Sequence, residues 1–209
     1  MFKLNAESAR QVQGQSGRID EKGKYKGVIE YAKIYTIPTG SKWVEFSFKD
    51  DSGQNCKLST CVESKEGKET YGMKIVHAVM ACCSVRELSV SQKTVKEWDF
   101  DTNGMAEVVV DVLSELTGRK VGFALFRMDK TSNKGTDYFQ MEIAAPFDYE
   151  TEQTSGEKLD SLPAKLLTKV VLSLKDKDKR EKPAFDHGEQ QGGGQDDFGP
   201  NAFDDDIPF

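Results

Sequence analysis

Between Lys42 and Lys49 the chain alternates strictly, with Val44, Phe46 and Phe48 on one side and Trp43, Glu45 and Ser47 on the other. That period belongs to an extended strand with one dry face and one wet face. Turn signals bracket the run. Pro38-Thr39-Gly40-Ser41 precedes it and Asp50-Asp51-Ser52-Gly53 follows it, combining a preset proline φ with glycines that accept positive φ. Before the first turn, Lys24 to Ile37 is rich in β-branched and aromatic residues; after the second, Asn55 to Val62 reads as a further strand. Three strands joined by short turns make an antiparallel meander, so a mainly β fold is expected.

The polar loop from Glu63 to Thr70 ends this block, and Met73, Val76, Met80 and Cys83 then recur at helical spacing. Residues 86–118 form an insertion. Its first part is irregular, holding Trp98 and Phe100 among charges. In 105–117, Val108-Val109-Val110 favours a strand, whereas Leu113, Leu116 and the stop at Gly118 favour a helix closed by a glycine; the balance falls to helix. Arg119–Met128 and Thr136–Ala144 then read as a hairpin, with Val121, Phe123 and Leu125 on one face and Phe139, Met141 and Ile143 on one face. Three strands, a helix and two more strands are the order of a five-stranded Greek-key barrel of the OB type. The expected organisation is an N-terminal arm or edge segment over 1–21, an OB-fold domain over 22–150, and a helical extension over 151–180. In that extension Leu162, Leu166, Val170 and Leu174 recur, and Pro163 falls in an early helical turn.

Charge divides the chain more sharply than fold does. From Glu181 to Phe209 eight acidic residues face one lysine, giving −7, so residues 1–180 carry +1 of the formal −6. With the Gln190–Gln195 glycine-rich linker, residues 181–209 read as a disordered acidic tail. A near-neutral body leaves room for an anionic partner that the total charge conceals. No apolar run approaches the roughly 18–20 residues of a membrane span, and the first residues lack a signal-peptide layout. Cys56, Cys61, Cys82 and Cys83 contain no C-x-x-C, and adjacent Cys82 and Cys83 diverge on a helix. Reduced thiols in a cytoplasm are therefore expected, rather than a zinc site with His77.

No enzymatic motif appears: there is no phosphate-binding lysine loop, no nucleophile elbow and no metalloprotease helix. Neither a cofactor nor catalysis is expected. Binding is better supported, because single-stranded nucleic acid offers phosphates to cations and unstacked bases to aromatic faces. Tyr25, Tyr31 and Tyr35 share a parity with Lys33; Trp43 stands on the wet face of its strand beside Lys42. In the later hairpin, Phe126 and Tyr138 lie opposite the apolar face, near Lys120, Arg127, Lys130 and Lys134. Strand tyrosines and turn lysines often have no ligand, so Trp43 carries most of this expectation.

The stretch Phe203-Asp204-Asp205-Asp206-Ile207-Pro208-Phe209 resembles the C-terminal tip of bacterial single-stranded DNA-binding proteins, and a Gly/Gln linker precedes it as in that family. Gly27-Val28-Ile29-Glu30 and Leu116-Thr117-Gly118-Arg119-Lys120-Val121-Gly122 make the body similar to bacteriophage-encoded proteins of that function. The resemblance implies an OB fold that coats single-stranded DNA in replication, recombination and repair in the cytoplasm of a bacterial host. It also implies a tip that recruits host or phage enzymes. A physical mechanism for the tip exists beside the family name. The Phe209 carboxylate, ionised above a typical pKa of about 3.3–3.7, pairs with an arginine while its ring enters an apolar pocket. Pro208 limits the entropy lost on ordering, and Asp204, Asp205 and Asp206 speed encounter with a basic rim. The same tail, tethered near a basic groove, is expected to compete with DNA. Two rival readings stand: a recombination mediator or adaptor that mimics the host tip with weak or no DNA binding, and a nuclease inhibitor acting through the tip. A homo-oligomer is compatible with either reading.

Overall fold

The computed structural model describes residues 17–99, 103–132 and 134–180. The first sixteen residues and the whole 181–209 tail, including the Asp204–Phe209 tip, lie outside the described residues. The meander forms as its turns dictate: β1 (Gly23–Thr36), β2 (Lys42–Asp50) and β3 (Asn55–Glu63) pair antiparallel in order. Val44, Phe46 and Phe48 are at most 2% exposed, so the dry face of the alternating run is the core wall. Helix α1 (Tyr71–Cys82) packs Ile75, Val76, Val79 and Cys82 into the same core.

Of residues 105–117, expected to be helical, 105–113 are strand. β4 (Val90–Asp99) and β5 (Gly104–Leu113) form a long antiparallel hairpin with ten registered pairs, closed at its base by Ser114 N–H donating to Ser89 O at 3.1 Å. Cross-strand partners for Val108, Val109 and Val110 decide the competition, because β-branched residues are at home on a pleated surface. Only Ser114–Leu116 turn helically, as one 3-10 turn, and Gly118 at φ +75° ends that turn rather than an α-helix.

β6 (Lys120–Thr131) and β7 (Asp137–Phe147) make the expected hairpin. β6 also pairs antiparallel with the first half of β1, from Gly23↔Leu125 to Val28↔Lys120. The second half of β1 touches β5 at Lys33↔Val112, so one long strand serves three neighbours. β8 (Lys177–Lys179) adds a short parallel pairing on β6. The result is a mainly β, largely antiparallel sheet of eight strands rather than five. No ladder among the described residues joins β3 to β7. Part of the space between those strands is occupied by residues 17–19, placed by sequence in the arm. Ile19 is 1% exposed and its N–H donates to Asn55 O, while the Arg18 guanidinium donates to Phe139 O at 3.4 Å.

The C-terminal helix also starts later than its leucine spacing suggests. α2 (Ser155–Leu159) is followed by α3 (Leu166–Ser173), and Pro163 lies in the loop between them. Glu157, 3% exposed, sets that start: its carboxylate accepts from the backbone N–H of Thr154 (2.9 Å), Lys165 (2.6 Å) and Leu166 (2.8 Å). Burial works to raise its pKa, and these donors outweigh burial, bringing it down to about 2.

No helix among the described residues is long and apolar enough to cross a membrane. All four cysteines are unpaired; Cys56, Cys82 and Cys83 are buried and Cys61 is half-buried. Burial pushes Cys56 and Cys82 up to about 12 and Cys83 to about 11. Since the thiolate is the reactive form, native alkylation at neutral pH should modify Cys61 first and leave the other three until denaturation. Rapid labelling of Cys82 or Cys83 in the folded protein would contradict this packing.

Candidate nucleic-acid interface

A single-residue irregularity in β1 decides which aromatics reach the wet face. The pairing with β2 slips between Ile29 and Tyr31, a β-bulge that reverses the side-chain alternation downstream. Tyr25, upstream of it, therefore falls on the core side, packed against the main core with its hydroxyl donating to Glu21 O at 2.8 Å. The shared parity of Tyr25, Tyr31 and Tyr35 is broken, and Tyr25 stands on the face opposite the other two. Tyr31, Lys33 and Tyr35 stay on the wet face, registered against Ser47, Glu45 and Trp43 of β2.

On that face Tyr35, Trp43 and Tyr138 converge. They line an open groove of about 370 Å³ together with Arg18, Lys57 and Phe139. Tyr35 comes from β1, Trp43 from β2, Lys57 from β3 and Tyr138 from β7, so the groove crosses from the meander to the later hairpin. Tyr138 is 47% exposed. Trp43 is half-buried, and its Nε1 is shielded from solvent with no acceptor among the described residues. Arg18 and Arg127 each bring a guanidinium carbon to 4.2 Å from the Phe139 ring centroid. The groove thus offers four aromatic rings, those of Tyr35, Trp43, Tyr138 and Phe139, with Arg18 and Lys57 beside them, a composition suited to a stacked base and its phosphate.

Arg18, Lys57 and Phe139 were missed from sequence. Lys57 sits on the wet parity of β3, a signal that alternation from Cys56 and Leu58 carries. Arg18 lies in a polar segment without periodicity, and nothing local marks it.

The remaining sequence candidates are placed elsewhere or already engaged. Tyr31 is 8% exposed, buried with Val95 and Val112 beneath the β4–β5 hairpin. Its hydroxyl donates to Glu97 Oε1 at 3.1 Å, and Lys33 Nζ donates to both Glu97 oxygens at 2.8 and 3.0 Å. Lys42 pairs with Glu63 at 2.8 Å. Phe126 lies under Lys177 Nζ, 5.0 Å from its ring centroid, and so faces β8. Lys120 stacks over Tyr149 at 4.7 Å. Arg127 pairs with Asp129 at 2.8 Å, and Lys130 with Glu142 at 3.1 Å. Lys134 is exposed in the β6–β7 turn. Trp98 is 49% exposed on β4. Among the described residues no group of three or more His, Cys, Asp or Glu side chains is arranged to hold a metal ion.

A scan against protein-family models returned no match, and a comparison with curated proteins returned none either.

Proposed function

We propose that this chain is a single-stranded DNA-binding protein of the OB type, bacteriophage-encoded and working in the cytoplasm of its bacterial host. It coats single-stranded DNA during replication, recombination and repair, and recruits partner enzymes through Asp204–Phe209. Its role is binding rather than catalysis. The observation that carries this reading is the groove uniting Tyr35, Trp43 and Tyr138 with Arg18 and Lys57 across four strands. Strand order supports the OB part: a three-strand meander, a helix, then a hairpin whose first strand returns to β1, with α1 packed between β3 and β7. On this reading the β4–β5 hairpin is an insertion ahead of the fourth barrel strand. Residues 17–19 bridge the gap where β3 and β7 would close the barrel.

One observation favours the adaptor reading, in which DNA binding is weak. Glu97 and Glu45 neutralise Lys33 and Lys57, so these two lysines of the wet face are already engaged by carboxylates.

Titration with oligo-dT separates the two. In a Trp98→Phe background the remaining tryptophan reports on the groove, and coating predicts quenching that saturates and falls steeply with salt. A companion chain lacking Asp204–Phe209 should bind more tightly at low salt, with the difference vanishing as salt rises. Absence of quenching in both chains at low salt would move the assignment to the adaptor.

A further inference from the structure

The β4–β5 hairpin places the Glu97 carboxylate against three donors of the wet face. Glu97 Oε1 accepts from Lys33 Nζ at 2.8 Å, Lys57 Nζ at 3.1 Å and the Tyr31 hydroxyl at 3.1 Å, and Oε2 accepts from Lys33 at 3.0 Å. Two ammonium groups and a hydroxyl converging on one anionic group form a phosphodiester cradle in chemical type. The three donors come from β1 and β3, the strands that carry Tyr35 and the groove, whereas the acceptor comes from the insertion. Glu45 of β2 lies behind, 3.3 Å from Lys57 and 3.6 Å from Lys33. With Glu97 in place two cations meet two anions; with Glu97 withdrawn the cradle keeps one net positive charge.

Lys57 joins the two features, since it lines the aromatic groove and also holds Glu97. A strand whose base enters the groove therefore brings its backbone to a lysine that an internal carboxylate already holds. Besides Glu97, the hairpin is held by a small cluster of Tyr31, Val95 and Val112 with Val110 packed against them, by the Lys33↔Val112 pairing of β1 with β5, and by Lys93 Nζ donating to Glu30 O at 3.4 Å.

We propose that Lys33, Lys57 and Tyr31 form a backbone-phosphate site, and that Glu97 occupies it as an internal stand-in which a bound single strand displaces. The proposal rests on the DNA-binding reading above. Glu97 makes the resting protein a weaker, more selective binder. An isolated anion competes poorly with a tethered carboxylate, whereas a strand that also stacks its bases brings enough additional contact to win the cradle.

The test uses the full chain and labelled oligo-dT followed by anisotropy across a salt titration. Glu97→Gln keeps the shape and an acceptor for the Tyr31 hydroxyl but removes the charge. It should tighten binding about 3- to 10-fold at low salt and steepen the slope of log affinity against log salt by about 0.7, the increment for one additional phosphate on a single strand. Glu107→Gln removes the same charge from the exposed side of the hairpin and should change affinity less than about 2-fold. If Glu97→Gln melts well below the natural protein, a chain with Val90–Val112 replaced by two glycines decides instead. Leu113 stays because it belongs to the main core, and Ser89 and Ser114 already touch. That chain should bind more tightly than the natural protein. If the natural protein binds and the deciding variant is unchanged or weaker, or if Glu107→Gln gains as much, the stand-in is overturned while the DNA-binding reading survives. Should only the deciding variant bind, the stand-in is supported. If neither binds, both ideas fall.

Discussion

Trp43→Ala is expected to weaken oligo-dT binding about 5- to 150-fold, the equivalent of the ~1–3 kcal/mol that one stacked base contributes. The salt slope should stay nearly constant, because an aromatic ring neutralises no phosphate. Trp43→Phe keeps a stacking face and should recover most of the loss. Thermal unfolding separates this effect from damage to the fold: Trp43 is half-buried at the groove, beside Tyr35 on β1 and Cys61 on β3, outside the main core. Tyr25→Ala is the mirror case. Its ring packs on the core side of the bulge, so stability should drop while affinity, measured where the variant is folded, stays the same. Full affinity in a folded Trp43→Ala chain would remove the groove from the DNA path.

The contrast between Tyr25 and Tyr35 shows where sequence reasoning reached and where it stopped. The meander was legible because alternation over Lys42–Lys49 and turns at Gly40 and Gly53 are local properties of the chain. The bulge after Ile29 is not local. It is one residue of slippage set by how β1 meets β2 and β6 together, and it turns Tyr25 from ligand candidate into core. The 105–117 segment failed for a related reason. Its helical spacing was real, but the partner strand that decides between helix and strand lies at 90–99, in a stretch without a clear period. Trp43, Tyr35 and Tyr138 were legible one by one as aromatics on wet faces. Their meeting was not, since it depends on β7 approaching β3 and on Arg18 reaching Phe139. The engagement of Lys33 by Glu97 lay further still beyond the sequence, because it pairs residues 64 positions apart through an insertion.

Gly27→Ala should destabilise the protein by about 2–3 kcal/mol, more than ordinary surface changes do, because β1 is squeezed there between two strands. Gly27 registers with Asp50 on β2 and with Val121 on β6, and Asp51 N–H donates to Lys26 O at 2.9 Å beside it. An added Cβ would lie 2.6 Å from Asp50 Cα and closer still to the Lys49 carbonyl oxygen. Both are backbone atoms, so no rotamer change relieves the clash; the end of β2 has to move away from β1. For a chain of this size that cost lowers the melting temperature by roughly 4–12 °C. Gly53 is the informative comparison: nothing lies within 4 Å of its Cβ position, but its φ is +91°. Alanine there meets only the left-handed backbone penalty, about 1–2 kcal/mol. The two variants thus separate crowding from conformation. Because the groove is built on the second half of β1, a folded Gly27→Ala chain should keep its oligo-dT affinity at low temperature while melting early. Melting within about 2 °C of the natural protein, below the smallest shift expected of a 1 kcal/mol change, would mean that β1 and β2 do not approach as closely as this register requires.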